Sequence, residues 1–332
     1  MIKKSIAILF AILFVVTAVT ALLLFNFERR AFTAETYQQA FARGDFYNKI
    51  LALMAQAIVS SSETSELPPV MKSMGAEAWE NFFRELLPED TLKSLGDDAL
   101  TSTFAYLNME ADSAKVSLAP LKTAMTSEAG TQAALSLIEA LPACTVEQIA
   151  QITLNLFSSG EIQLCNPPDE LTPLLVPIVQ GQLQLAAAII PDELTLIQAP
   201  AENDPRQRLQ TLRLFLRLSP ILPIGFLLAL TVLCVRSLND WLDWWGIPLL
   251  ITGLLASIMG LLGAPIVGRL IVLLLSKRLP DYLPAYLSDF TGDLASAMVQ
   301  ALLTPVLWQG VVLFLLGLIM AGAGWALKRR RG

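Results

Sequence analysis

Four long apolar runs, one at the start of the chain and three towards its end, are separated by 190 residues of mixed polar and apolar character at 28–217. The first run, from Ser5 to Phe27, contains no charged residue. As a helix it covers about 34 Å, which is enough to cross a bilayer core of about 30 Å. Small residues at 17–21 also fit a cleaved signal peptide, but the apolar run continues beyond them. We therefore expect a retained signal anchor over residues 1–27.

The three later runs predict membrane helices at 218–236, 246–276 and 309–327. The middle run would reach about 45 Å as one helix, which is too long for an upright span. Its glycines and Pro265 favour a break near 263–269, and a short link at 237–245 precedes it. The fold class predicted is an all-α membrane protein with one N-terminal and three C-terminal transmembrane helices, plus a mostly helical domain.

Tryptophan placement agrees with these boundaries. Tryptophan is enriched where a membrane meets water, because its ring is apolar and its N–H is polar. Five of the six tryptophans fall at the predicted interfaces: Trp241, Trp244, Trp245, Trp308 and Trp325. Only Trp79 lies elsewhere.

Basic residues flank the first and last spans, and they predict the topology. They are Lys3 and Lys4 at the start, and Lys328, Arg329, Arg330 and Arg331 in the tail at 328–332. The positive-inside rule places both termini in the cytoplasm, which needs an even number of spans. The 28–217 domain and the 277–308 segment are then outside. Four arginines just before the second span oppose the rule, although long translocated domains largely escape it: Arg206, Arg208, Arg213 and Arg217.

The domain at 28–217 is rich in Ala, Leu, Glu and Gln and is expected to be mostly helical, with an interruption at Gly44 and a short strand at 115–118. Pro-Asp-Glu-Leu-Thr occurs twice, at 168–172 and 191–195. Proline followed by carboxylates suits a first helical turn, so both copies predict helix starts. The 277–308 segment has apolar residues at helical spacing and predicts an amphipathic helix, packed against the domain or lying on the membrane surface.

Two cysteines, Cys144 and Cys165, lie in the predicted outside domain, 21 positions apart. On an oxidising face of the membrane they are expected to form a disulfide, the alternative being two buried thiols. Cys234 lies alone in the second span and reads as a packing residue.

Several classes of function are disfavoured by composition. The chain has no histidine, which is the usual general base and the commonest metal ligand. The 28–217 domain carries 24 acidic and 13 basic residues, so it repels nucleic acid. The cores of the predicted spans, which end at Arg236 and before Arg269, hold no charged residue, which is unlike ion-coupled transporters and pumps. Small residues such as Gly253 and Gly317 allow close helix approach, within the chain or between chains.

Three stretches carry a resemblance to known sequences: LPAC at 141–144, LCNPP at 164–168 and RSLNDWLDWW at 236–245. With them the chain resembles uncharacterised bacterial four-span membrane proteins that have a large extracytoplasmic helical loop. The resemblance implies a protein of the bacterial plasma membrane and implies no activity.

These observations together predict a non-enzymatic integral membrane protein of the cell envelope. Its outside domain would bind an envelope partner or assemble with copies of itself, in contact with membrane lipid, and no cofactor or metal is indicated. The alternative is an oligomeric channel or a lipid-handling protein. An enzyme built on carboxylates remains the third hypothesis, and its candidate residues would be Asp97, Asp98, Asp169 and Glu170.

Overall fold

A computed structural model describes residues 2–61, 74–149, 165–200, 202–276 and 285–331, which are mostly helical. The α-helices are α1 (Ile2–Ala31), α2 (Ala34–Arg43), α3 (Phe46–Ser61), α4 (Ala76–Leu86), α5 (Glu89–Leu107), α6 (Ala119–Thr126), α7 (Glu128–Glu139), α8 (Thr172–Ile189), α9 (Pro205–Leu218), α10 (Ile221–Cys234), α11 (Leu238–Ser276) and α12 (Ala285–Arg331). Two strands, β1 (Ser113–Ser117) and β2 (Glu193–Gln198), form an antiparallel pair.

The chain divides into two compact units. The first unit comprises Met1–Gly44, Phe104–Asp112 and Ala199–Gly332. The second unit comprises Asp45–Thr103 and Ser113–Gln198. The first unit therefore holds all the long apolar helices that the sequence predicts.

By length and composition, five helical segments of the described chain could cross a membrane, one more than expected. They are Lys4–Ala31, Thr172–Ile189, Pro205–Cys234, Leu238–Leu270 and Phe290–Arg329. The additional segment is α8, in the second unit, and its mean hydropathy of 1.3 is the lowest of the five. Each of the other four overlaps one of the four predicted spans.

One prediction in the C-terminal region is wrong, and two helix boundaries differ from those of the apolar runs. The short link at 237–245 is mostly part of α11, which already begins at Leu238. The break expected at 263–269 is absent, because α11 continues through Pro265 to Ser276. The 277–308 segment is not a separate helix either, because its described part belongs to α12, which continues through Pro305 into the fourth span.

Close pairing of α11 with α12 explains why neither helix breaks. Glycines recur every seven residues on both helices, at Gly246, Gly253 and Gly260 on α11 and at Gly310, Gly317 and Gly324 on α12. A Cβ atom added to Gly246 would lie 2.8 Å from the Ala321 nitrogen, and one at Gly310 would lie 2.7 Å from the Ser257 nitrogen. The backbones thus touch in antiparallel register, and packing along the whole hairpin compensates for the internal prolines.

The extension of α12 beyond the predicted fourth span packs on α2. A Cβ atom at Gly44, which caps α2, would lie 4.0 Å from the Ala297 Cβ. The described part of the amphipathic stretch therefore packs against α2, which belongs to the same first unit. Its placement against the outside domain or on the membrane surface stays a prediction.

The second unit is a helical cluster around Leu51, Trp79, Phe83 and Leu137, which are all buried. Its sheet confirms the strand expected near 115–118. The break at Gly44 is also confirmed, and the residues 146–149 are helical.

The two Pro-Asp-Glu-Leu-Thr copies have different structures. The first starts α8 through a 3-10 turn at Asp169–Leu171, as expected. The second prediction is wrong, because this copy leads into β2, where Thr195 pairs with Lys115. Cross-strand partners decide the outcome, and the sequence motif alone does not identify them.

Candidate functional site

A buried charge cluster lies where the predicted first span ends and the predicted second span begins. The Glu28 carboxylate, at the end of α1, is only 2% exposed. Its Oε1 atom accepts hydrogen bonds from Arg213 Nε at 3.1 Å and from Arg217 Nε at 2.8 Å. Both arginines lie on α9, one helical turn apart, so they present guanidinium groups to the same face. The cluster fixes the end of α1 against α9.

Arg213 is held on its other sides as well. Its Nη1 donates to the Asn108 Oδ1 atom at 2.5 Å, and its guanidinium lies 4.6 Å from the centre of the Phe32 ring. The Arg213 side chain is 9% exposed, so these contacts replace the water that a buried cation loses.

Arg206 anchors the beginning of α9 in the same manner. Its Nη1 donates to the backbone oxygens of Tyr106 and Ala111 at 3.0 and 2.7 Å. Asp204 caps α9 by accepting from the Arg206 backbone nitrogen at 2.9 Å and pairs with its guanidinium. Two of the four arginines that oppose the positive-inside rule, Arg206 and Arg213, are therefore buried and paired.

An open cavity of about 470 Å³ borders the cluster. Its lining includes Phe25, Glu28, Arg29, Arg213 and Arg217, so three guanidinium groups face one carboxylate. The formal charge around the cavity is +2. We call it the arginine pocket.

The tryptophans of α12 indicate the level of the arginine pocket relative to the predicted membrane. Trp308 and Trp325 are 17 residues apart, or about 26 Å along the helix, which approaches the thickness of a bilayer core. Gln309 exchanges hydrogen bonds with Asn26 on α1 at 2.7 and 3.3 Å. Asn26 therefore lies at the level of Trp308, and Glu28 lies about 3 Å farther along α1. The arginine pocket is at the predicted outer membrane boundary.

A second cavity of about 220 Å³ shares Phe25 with the arginine pocket. It is bounded by α1, α10, α11 and α12, and its lining is apolar except for Thr252. The Thr252 hydroxyl is buried and has no hydrogen-bond partner in the described part of the chain. We call this space the apolar cavity.

The other predicted interface residues lie near the opposite ends of the apolar helices, at the predicted inner boundary. Trp241 and Trp245 rings lie 5.4 Å apart, and the Trp245 indole donates to Thr231 Oγ1 at 3.0 Å. Lys328 forms an ion pair with Asp243. Trp244 and Lys328 also border an open apolar groove of about 640 Å³ between α1 and α11.

Trp325, near the same end, lies under the Arg329 guanidinium, 5.3 Å from its ring centre. Lys4 is exposed. The side chains of Lys3, Arg330 and Arg331 lie outside the described residues. The assignment of these residues as interface anchors and topology determinants stays a prediction.

Cys144 and Cys165 form the expected disulfide, with 5.0 Å between Cα atoms. Two backbone hydrogen bonds support it, from Cys144 N to Asn166 O at 2.8 Å and from Asn166 N to Pro142 O at 2.9 Å. The bond closes the segment 145–164, most of which lies outside the described residues.

Two of the four carboxylates named for an enzyme, Asp97 and Asp98, have structural partners. Asp98 accepts from the Ser117 backbone nitrogen at 2.8 Å, and Asp97 accepts from the Tyr47 hydroxyl at 3.3 Å. Burial and the Asp97 charge raise the pKa of Tyr47 to about 12. The Asp169 side chain lies outside the described residues, and Glu170 is exposed near the start of α8. No group of three or more potential metal ligands occurs among the residues described.

The second unit exposes large apolar side chains on α8 and on β2, two elements that follow each other in the chain, and sequence reasoning missed them. All six residues of β2 are exposed. The large apolar side chains are those of Leu174, Leu185, Ile189, Leu194, Leu196 and Ile197. Sequence reasoning missed these side chains because the second Pro-Asp-Glu-Leu-Thr predicted the start of a helix where β2 forms. We call these exposed side chains the α8–β2 face.

Sequence reasoning also missed Asn26, Glu28 and Gln309. Each lies at the edge of an apolar run, where a polar residue reads as the end of a span. The signal that pointed to the cluster was the group of arginines on the unexpected side of the membrane. No protein-family model, no curated protein and no solved structure matches the chain.

Proposed function

We propose that this protein is a non-enzymatic integral membrane protein of the bacterial envelope whose helical domain outside the membrane binds a protein partner, either another envelope protein or a second copy of itself. The observation that carries the proposal is the α8–β2 face. Its apolar side chains are 39–84% exposed, and exposed apolar clusters on folded units mark interaction surfaces.

The geometry of β2 supports the same function. An isolated two-stranded ribbon is marginally stable in water, and β2 pairs on one side only with β1 in the described chain. Its free edge can add a strand from a partner, while Leu194 and Leu196 supply apolar contacts. A partner bound there would form hydrogen bonds with the main chain of β2 and would bury the apolar side chains of the α8–β2 face.

The placement of the domain outside the membrane is supported by two features. Basic residues at both termini favour a cytoplasmic location for both ends, and the Cys144–Cys165 disulfide suits an oxidising compartment. The resemblance to bacterial four-span proteins agrees with this arrangement.

The alternative function, an oligomeric channel or a lipid-handling protein, would use small residues for contacts between chains, and two of these residues are already used within the chain. Gly253 and Gly317, which could have served contacts between chains, face Phe314 and Leu250 inside the α11–α12 hairpin. A flux or lipid-transfer assay in liposomes separates the classes, and we expect no activity.

The decisive experiment is cross-linking of the full-length protein in native membranes, followed by identification of the products. We expect a cross-linked partner or dimer with the wild type and its loss with the double variant Ile189→Gln/Leu196→Gln. Val146→Gln is the matched control, since Val146 is 83% exposed in the second unit but outside the α8–β2 face. A monomer without partners, or a product that survives the double variant, would overturn the proposal.

A further inference from the structure

The arginine pocket has unused hydrogen-bonding capacity. Arg217 donates its Nε to Glu28, but its terminal Nη atoms have no hydrogen bond among the described residues, and its side chain is 57% exposed. Arg29 contacts the Phe25 ring at 5.1 Å and likewise makes no hydrogen bond within the described chain. Two guanidinium groups therefore face the pocket with free donors.

Charge selects the class of ligand. Glu28 lies between Arg213 and Arg217 and orients them, while the three arginines leave a surplus of two positive charges. Guanidinium groups present paired donors that match phosphate oxygens. An anion with a phosphate group fits this arrangement better than a cation or a neutral solute.

Position and the adjoining space distinguish a lipid from soluble phosphate. Through Asn26 and Gln309, the pocket lies at the level of Trp308, where lipid headgroups meet water. The apolar cavity shares Phe25 with the arginine pocket and is lined by side chains such as Ala21, Ile224 and Leu313. A polar pocket and an apolar cavity that share a lining residue match an amphiphile.

From this juxtaposition we propose that the protein binds one anionic phospholipid, with its phosphate between Arg29 and Arg217 and an acyl chain in the apolar cavity beside Phe25. The lipid would join α1 to α9 and α10 at the outer boundary. This explains why a basic cluster occurs on the predicted outer side of the membrane. The site is separate from the α8–β2 face and does not depend on the partner proposed above.

The test is thermal unfolding of the full-length protein in detergent during titration with phosphatidylglycerol, phosphatidylcholine or inorganic phosphate. We expect phosphatidylglycerol alone to raise the Tm. Arg217→Gln should need about tenfold more of this lipid, which corresponds to one charge-assisted contact. Arg208→Gln is the matched control, because Arg208 is exposed on the same helix and does not line the pocket.

Arg29→Gln provides a second variant that leaves the Glu28 ion pairs intact, and native mass spectrometry counts bound lipid independently of Tm. Equal effects of the two lipids would overturn the proposal, as would equal responses of Arg217→Gln and Arg208→Gln. A response to inorganic phosphate that phosphatidylglycerol does not exceed would replace the lipid site with a soluble-anion site.

Discussion

Glu28 and Arg213 are 185 residues apart in the sequence, yet they form a buried ion pair with 3.1 Å between Oε1 and Nε. The pair joins the end of the first apolar helix to the helix that precedes the second. Without Glu28, the buried Arg213 guanidinium would lie close to the predicted membrane boundary with no acidic partner among the described residues.

Replacement of Glu28 by Gln should therefore destabilise the protein by about 3–5 kcal/mol, because Arg213 stays buried without its counter-charge. Thermal unfolding in detergent measures the effect. Lys115→Gln is the control, since the Lys115–Glu193 pair is largely exposed and should contribute about 0–1 kcal/mol. Equal Tm values for the two variants would contradict a structural role of the pair. The double variant Glu28→Leu/Arg213→Met should recover part of the loss.

The close contact of α11 and α12 predicts that two glycine substitutions on α12 differ in their effect on stability. In Gly317→Ala the new Cβ would collide with the Leu250 backbone, which should cost about 1–3 kcal/mol. Gly322 lies on the same helix with nothing within 4 Å, so Gly322→Ala should be neutral or slightly stabilising. Comparison of their Tm values checks the register, and similar losses in both variants would show that the backbones do not touch at Gly317.

The disulfide predicts the number of reactive thiols. Protein denatured without reductant should carry one alkylated cysteine, Cys234, and reduced protein should carry three, as counted by mass spectrometry. The double variant Cys144→Ser/Cys165→Ser should lose about 3 kcal/mol of stability, because the bond closes a loop of 21 positions. Three alkylated thiols before reduction would contradict the disulfide.

The number of spans can be tested at α8. It is less apolar than the other candidates, carries Gln180, Gln182 and Gln184, and packs against α6 and α7. In a Cys234→Ser background, we expect Leu185→Cys to react with a membrane-impermeant maleimide and Val232→Cys in α10 to be protected. Both positions are exposed in the isolated chain, so the membrane would protect Val232→Cys, while Leu185→Cys could be protected by the membrane or by the proposed partner. The Ile189→Gln/Leu196→Gln background removes the partner, and protection of both positions in that background would mean five spans, with the termini on opposite sides.

Tyr47 predicts a pH effect in the second unit. Its pKa of about 12 lies above the ordinary value of 10.0, because burial and Asp97 disfavour the tyrosinate. The fold gains this stability below pH 10, and the gain is lost as pH rises from 10 to 12. Difference absorbance titration of wild type against Tyr47→Phe measures the pKa. Asp97→Asn should lower it but leave it above 10, because burial remains; an unchanged value would exclude the Asp97 contribution.

Much of the architecture is local and could be predicted from the sequence. Apolar run length predicted the four main apolar helices, and proline with carboxylates predicted the start of α8. The same motif failed at Pro191, because Thr195 pairs with Lys115 and a distant partner overrides local preference. Pro265 was expected to break α11, but the glycine contacts with α12 keep the helix continuous.

The candidate site depends almost entirely on tertiary structure. The sequence by itself determined where apolar helices form, which residues lie at their ends and which two cysteines pair, since these follow from hydrophobicity, charge and compartment. Only the tertiary structure decided that Glu28 meets Arg213 and Arg217, that Asn26 meets Gln309, and that β2 and α8 leave an apolar face exposed. Such contacts join residues far apart in the chain, and their energy comes from burial and geometry that no local pattern specifies.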